Sequence, residues 1–356
     1  MTKQRVAVIY NEPKPTDASE HWLARSNGSA VDESFRDESE YGVLEQMQSI
    51  ATALESNGFS VTMFSADDDV QGLCDFLVHE RPDVIFNCCE SILGKASLEM
   101  NIVAIYELFG IPYTGSPAIT LGIALNKSFS KDIFRSREIS TPDYRVVEVS
   151  ERCDASSLSF PLIVKPAKED ASIGIDASSI VYDSVQLDAR VSFVHREFDQ
   201  AAIVEEYIEG REINIGVIGN GEKMETLPIS EIRFDTLPKD LPKIVTYEAK
   251  WVESSPYYAA TVPECPADLP SSVVKEANRL AIAASNAICL RGYGRIDMRL
   301  RESDNKLFVL EANPNPDISE DAGFMRAARV SGRTYNGTIN EILKLALEPK
   351  QSKITS

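Results

Sequence analysis

The chain has 356 residues, enough for two or three domains of about 150 residues each. Its 55 acidic side chains outnumber 36 basic ones, and the formal charge of −19 argues against non-specific nucleic-acid binding and against docking on anionic lipid, both of which need a surplus of Lys and Arg. With 43% hydrophobic and 26% charged residues, the balance is that of a globular protein and not of a disordered one.

The N-terminal third alternates short strands with helices. RVAVIY (5–10) is a short apolar run closed by Asn11 and Pro13, which predicts a buried strand. It is too short for a signal-peptide core. Residues 11–38 are polar, charge-rich and aperiodic, and predict a long mobile loop. Val43, Met47, Ile50, Ala51 and Leu54 recur at helical spacing over 40–57, and Asn57-Gly58 ends that helix. FSVTMF (59–64) and DVIFN (83–87) predict two further strands, with a helix around Leu73, Phe76 and Leu77 between them. Strands separated by helices pair in parallel, so the region predicts an open α/β sheet. The turn after the first strand, NEPKP, lacks G-x-G-x-x-G, and its Cβ atoms and prolines bar the backbone from a pyrophosphate. A dinucleotide fold is thereby excluded.

A second region begins near Asn126. A helix is expected over 127–138, a strand over FPLIVKP (160–166), a small-residue loop over KEDASIG (168–174), a helix over 184–197 and strands over 202–208 and 211–219. A loop of small residues beside strands can cover phosphate with its backbone N–H groups. Five prolines in 242–270 predict a stiff, irregular loop over an active site. Val273, Val274, Ala277, Leu280, Ala281, Ala284 and Ile288 form the apolar side of a helix over 272–289. The most apolar stretch, 280–290, is too short to span a bilayer. Six scattered cysteines without CxxC and three distant histidines argue against a disulfide framework and a zinc site, and fit reduced thiols in the cytoplasm.

The strongest signal is the last hairpin, YGRIDMRL (293–300) and KLFVLEAN (306–313), joined by RESDN. Side chains alternate faces along a strand, so Arg295 shares a face with Asp297, and Glu311 with Asn313. A turn centred near Ser303 sets Arg295 opposite Glu311, with Asp297 diagonal to it. Two carboxylates and an amide oxygen then converge, a set of hard oxygen donors suited to Mg²⁺ on nucleotide phosphates. The competing reading is a surface hairpin with a weak Arg295–Glu311 ion pair. Against it, Glu311 interrupts an apolar strand and the following Asn-Pro-Asn-Pro-Asp cannot continue a sheet.

This hairpin resembles the metal-binding end of ATP-grasp ligases of the D-alanine–D-alanine ligase type. IFN (85–87), LFGIPYTGS (108–116), ALNKSFSKDIFRSREISTP (124–142), FPLIVKPAKEDASIGI (160–175), IVEEYIEGREINIGVIG (203–219) and YEAKW (247–251) resemble that family's other blocks, in order. The resemblance implies an N-terminal open parallel α/β domain (1–125) followed by two α+β subdomains, 126–208 and 209–350, that clamp the nucleotide. It implies ATP-dependent joining of a carboxylate to an amine through an acyl phosphate. It assigns Lys127, Lys165 and Lys250 to the triphosphate, and Ser172 and Gly174, with Ala171, to the phosphate loop. Glu205, Glu206, Tyr207 and Ile208 fall to the adenine hinge, and Glu212 to the ribose. Asp297, Glu311 and Asn313 fall to Mg²⁺, as two ions with Mn²⁺ as a substitute. Arg295 is assigned to the oxyanion of the tetrahedral intermediate, and Ser172 also to the catalytic set.

The chain departs from the family where amino acids bind. NEPKP stands in place of a Gly-Gly-x-Ser-Ala-Glu start, and NCCESILGKASLE (87–99) in place of a histidine-bearing segment. Glu90 falls at the corner that the family's histidine holds, and Glu40, with Glu38 as alternative, is the candidate carboxylate for a substrate ammonium. Asp317 replaces a glycine after the metal loop, where an acid repels a free carboxylate, and Ser319 remains as a hydrogen-bond donor. The expected substrates are amino acids or a small peptide. The alternatives are a different substrate pair in secondary metabolism, a kinase that stops at phosphate transfer, and a nucleotide-binding regulator. The resemblance also implies a homodimer through the N-terminal domain.

Overall fold

The computed structural model describes residues 3–11, 33–67, 69–93, 95–169 and 172–348, with side chains of the helix Glu33–Ser56 from Val43 onward. Three parallel strands, β1 (Arg5–Tyr10), β2 (Ser60–Ser65) and β3 (Val84–Cys88), stand in the order β2-β1-β3. The central position of β1 explains its unbroken apolar run. Val6 and Val8 pack toward Met47, Ile50 and Leu54, while Ala7 and Ile9 pack toward Leu73, Leu77 and Tyr106. The first helix starts at Glu33, so the loop expected over 11–38 ends earlier than its polarity suggested. Glu and Arg are good helix formers, and they extend an anchored helix without an apolar stripe. Residues 12–32 of that expected loop lie outside the described residues.

A four-stranded antiparallel sheet follows: β4 (Tyr144–Val147), β5 (Leu162–Pro166), β6 (Ile180–Val181) and β7 (Ala202–Glu206), in the order β4-β7-β5-β6. Leu162, Val164 and Val204 cover Leu187, Val191 and Val194 of the helix Ser184–Phe198. The third sheet contains β8 (Gly210–Gly219), β9 (Glu225–Thr226), β10 (Ser230–Arg233), β11 (Val262–Glu264), β12 (Gly292–Arg301) and β13 (Lys306–Pro314). Its order is β11-β10-β8-β12-β13, with β9 on β8. Ile213, Ile215, Val217, Ile296 and Met298 face Ala277, Leu280, Ala281 and Ala284 of the helix Ser271–Ala287. Strand alternation then turns Glu212, Asn214, Arg295, Asp297 and Arg299 to the opposite face.

The proline-rich stretch 242–270 is more regular than expected. It holds the helices Tyr247–Trp251 and Pro256–Ala260 as well as β11. Thr246 and Ser255 cap the two helices, and Pro256 occupies the first helical position, where its missing N–H costs nothing. The first and third sheets are tied together. Val6, Val8 and Phe86 share an apolar cluster with Phe324, Ile339 and Ile342. Asn315 Oδ1 accepts from Ser116 N at 2.9 Å, and Arg291 donates to the carbonyls of Gly115 and Tyr113.

Candidate active site

A cavity of about 330 Å³ opens between the two antiparallel sheets. One wall carries Lys165, Glu205, Glu206, Tyr207 and Ile208; the other carries Glu212, Asn214, Arg295, Asp297, Arg299 and Glu311. Ser172, Lys250, Gly323 and Arg326 complete its rim.

The hairpin brings Arg295, Asp297, Glu311 and Asn313 together, as the alternation predicts, but in another register. Arg295 stands opposite Asn313, and Asp297 opposite Glu311. Two features shift the pairing by two residues. Arg301 pairs with Lys306, so the turn spans 302–305 with Asn305 at φ 57°. Asp297 pairs with Glu311 but Met298 pairs with Val309, which leaves Leu310 as a β-bulge. The bulge lets both Leu310 and Glu311 line the cavity.

Arg295 forms its ion pair along β12, and not across to Glu311 as the competing surface-hairpin reading had it. Arg295 Nε donates to Asp297 Oδ1 at 2.7 Å and Nη2 to Oδ2 at 2.8 Å, while Asn313 Nδ2 donates to Oδ2 at 2.9 Å. Burial opposes the Arg295 charge, but Asp297, Glu311 and Glu212 outweigh it and raise the guanidinium's pKa. Burial likewise opposes the Glu311 charge, yet Lys127, Lys165, Arg295 and Lys250 hold its carboxyl down to about 2.

The three sequence-assigned lysines reach this cluster from three elements. Lys127 opens the helix Lys127–Ser136, whose N-terminus is capped by Asn126. Its Nζ donates to the Glu169 carbonyl at 2.6 Å and lies 3.6 Å from Glu311 Oε2. Lys165, on β5, lies 2.9 Å from Glu205 Oε1. Lys250 sits in the capped helix Tyr247–Trp251, where desolvation and then the Arg295 charge lower its pKa against the pull of Glu311 and Asp297.

In the loop 168–174, Asp170 and Ala171 lie outside the described residues. Ser172 takes a left-handed φ of 62° and borders the cavity. Gly174, at φ +76°, faces away from it. A Cβ there meets Pro166 Cγ at 2.7 Å and Phe198 Cζ at 2.8 Å, so glycine serves close packing behind the loop. Arg190 donates to the Gly174 carbonyl at 2.7 Å and to Asp176 at 3.0 Å, and Tyr247 N donates to the Ile175 carbonyl at 3.0 Å. The loop and the Lys250 helix are therefore joined.

At the end of β7, Glu206 Oε1 accepts from Ser159 N at 2.8 Å. The Tyr207 hydroxyl donates to the Lys243 carbonyl and accepts from Arg299 Nη2 at 3.2 Å. Burial raises the pKa of Glu212, and Arg299 at 3.8 Å counters it. Glu205 is buried between Lys165 and Lys131.

Glu90 stays apart from this cavity. It is exposed beyond the end of β3, and its N–H donates to Asn11 Oδ1 at 3.0 Å. Glu40 belongs to the helix Glu33–Ser56, but its side chain lies outside the described residues, and Glu38 shares that position. Ser319 is already engaged: its N–H and Oγ donate to Asp317 at 2.8 and 3.0 Å, and Gln46 donates to the same carboxylate. Lys131, Asn214, Arg299 and Arg326 escaped the sequence reading. Lys131 had a usable signal, standing four residues after Lys127 and therefore on the same helix face. The others needed the register of β8 against β12 or the position of a distant helix.

Among the described residues no cluster of three or more His, Cys, Asp or Glu is poised around a metal. The donor set here is two carboxylates and one amide. Its hard oxygens suit Mg²⁺, which takes its remaining ligands from phosphates and water.

Two antiparallel sheets closing on a cleft of lysines, arginines and carboxylates define the class of ATP-grasp ligases. A family model described as D-ala D-ala ligase C-terminus matches residues 133–344. The D-alanine–D-alanine ligase of Ralstonia pickettii is 30% identical over 82% of this chain and 83% of its own length. The uncharacterized protein y4sG of Sinorhizobium fredii is 32% identical over 84% of this chain and 86% of its own. The crystal structure of a Bacillus anthracis D-alanine–D-alanine ligase complexed with ATP matches with a TM-score of 0.71 at 21% identity, covering 97% of both chains. The chain belongs to the D-alanine–D-alanine ligase family.

Proposed function

We propose that the protein joins the carboxylate of one amino acid to the amine of another amino acid or small peptide, using ATP. The observation that carries this reading is the convergence of Arg295, Asp297, Glu311 and Asn313 with Lys127, Lys165 and Lys250 around one cleft. A substrate carboxylate oxygen attacks the γ-phosphorus of ATP, ADP leaves, and an acyl phosphate forms. The amine then attacks the acyl carbon; phosphate leaves and the amine loses a proton, giving the amide. The lysines neutralise the phosphates as point charges. The hinge backbone at Tyr207 and Ile208, with Glu205 and Glu206 beside it, receives the adenine, and Glu212 accepts from the ribose hydroxyls. Ser172 and the loop ending at Gly174 cover the transferring phosphoryl group.

Asp297, Glu311 and Asn313 would hold Mg²⁺, as one or two ions, or Mn²⁺ in its place, to spread the charge of the transferring group. Arg295 donates to the oxyanion of the tetrahedral intermediate. Its fork is held by Asp297, which fixes the guanidinium at the cleft.

Relatives named D-alanine–D-alanine ligase support D-alanine as one substrate. The Asp317–Ser319 contact favours a second reading of the acceptor side, in which the amine substrate differs from a free amino acid carrying its carboxylate against Ser319. Glu40 is our candidate for a substrate ammonium, and Glu90 for the corner that the family's histidine holds. We also propose division at residues 125 and 208 into three domains, which the three separate sheets support. A cytoplasmic location fits the six free thiols, and no helix among the described residues is long and apolar enough to cross a membrane. A homodimer is proposed from the family resemblance.

The test is phosphate release with ATP, Mg²⁺ and a mixture of D- and L-amino acids, followed by mass spectrometry. Amine-dependent release and an amide product support the ligase. A stable phosphorylated product identifies a kinase, and absence of ATP consumption overturns both readings.

A further inference from the structure

A row of three largely buried charged side chains runs from the cleft wall inward. Lys131 is fully buried, Glu205 is 1% exposed, and Lys165 ends at the cavity. Glu205 Oε2 lies 3.2 Å from Lys131 Nζ, and its Oε1 lies 2.9 Å from Lys165 Nζ. Lys131 also donates to Thr141 Oγ1 at 2.8 Å and lies 5.5 Å from the Tyr144 ring. It is absent from the cavity wall.

We propose that Lys131 is a positioning residue for the nucleotide, acting through Glu205 to leave the Lys165 ammonium available to the phosphates. The inference rests on the nucleotide reading of this cleft. Two ammonium groups and one carboxylate leave the row with a net charge of +1. Without Lys131, Glu205 and Lys165 form a neutral pair, and Lys165 is held by Glu205 alone. A buried carboxylate with a single partner binds that partner tightly, because no water screens it. Lys131 divides the demand of Glu205 between two cations.

The groups facing Lys131 come from several elements: Glu205 on β7, Lys165 on β5, Tyr144 on β4, Thr141 before it, and Arg135 one turn along its own helix. Burial pushes the Lys131 ammonium down to about 8, with Glu205 opposing and Lys165 and Arg135 assisting. Above that pH the row becomes neutral, as it is without Lys131.

Calorimetric titration with ADP and with adenosine tests the proposal. Adenosine carries no phosphate, so its binding reports any effect that Lys131 has on Glu205 at the adenine hinge. Lys131→Met is expected to weaken ADP binding about tenfold at pH 7 and to change adenosine binding by less than about twofold. The wild-type chain should lose ADP affinity between pH 7 and 9 while adenosine stays level. Lys131→Arg, charged across this range, should keep ADP affinity at pH 7 and lose the pH response. Unchanged ADP binding in Lys131→Met, or equal losses for ADP and adenosine, would overturn the proposal. If that variant does not fold, an unaltered pH response in Lys131→Arg overturns it instead. A wild-type chain that binds neither ADP nor adenosine would overturn the nucleotide reading itself, a result separable from the others.

Discussion

Replacement of Arg295 by alanine separates substrate binding from chemistry. Arg295 lies on β12 opposite Gly216 of β8, so no neighbouring side chain on that strand shares its space. Its two bonds to Asp297, at 2.7 and 2.8 Å, make a bidentate fork. Truncation leaves Asp297 with the Asn313 amide, so both carboxylates and the amide oxygen assigned to Mg²⁺ remain. Nucleotide affinity should therefore change by less than about threefold. The tetrahedral intermediate loses a charged donor, which typically costs about 10²–10³ in rate, or about 3–4 kcal/mol. Lysine restores the charge but not the fork, so Arg295→Lys should recover only part of the loss. The assay pairs ADP titration with amine-dependent phosphate release at saturating ATP. Parallel losses in affinity and turnover, or turnover within a factor of ten of wild type, would refute this division of labour.

Other perturbations reach different parts of the site. Asp297→Asn removes a hard anionic ligand and the partner of Arg295; Mg²⁺ titration of ATP turnover should shift to higher concentration or lose amplitude, and a wild-type curve contradicts the metal assignment. Gly174→Ala places a Cβ 2.7 Å from Pro166 at φ +76°, so urea unfolding should show a loss of about 1–3 kcal/mol; an unchanged midpoint speaks against the packing role. Glu205→Gln leaves two buried lysines without their carboxylate and should cost about 3–5 kcal/mol at pH 7. Burial opposes the Glu205 charge, but Lys131 and Lys165 lower its pKa below the usual 4.5, so its contribution is present above that value and lost as pH falls below it. The variant should show a shallower acid-induced loss of stability in that window, and an identical acid limb contradicts the pairing.

Much of this molecule is legible in one dimension. The run RVAVIY matches β1 residue for residue, and the last hairpin lies within a residue of its expected ends. The shared face of Arg295 and Asp297 follows from alternation alone, and the in-order blocks make the ligase family visible in the sequence. These features are local, because backbone periodicity and turn chemistry act over a few residues.

Register and remote pairing were decided in three dimensions. Alternation says which face a side chain takes but not which residue it meets, and a four-residue turn plus the bulge at Leu310 moved Glu311 from Arg295 to Asp297. The two helices within 242–270 form where Thr246 and Ser255 cap them over a small core of Phe234, Leu237 and Tyr257, which a count of prolines obscures. Lys131, Glu205 and Lys165 come from three elements far apart in the chain, and Arg299 reaches Tyr207 from 92 residues away. Composition and local pattern determined the elements, the charged hairpin and the class of chemistry; the fold alone decided which buried charges neutralise one another, because a carboxylate's partner is set by distance through space and not along the chain.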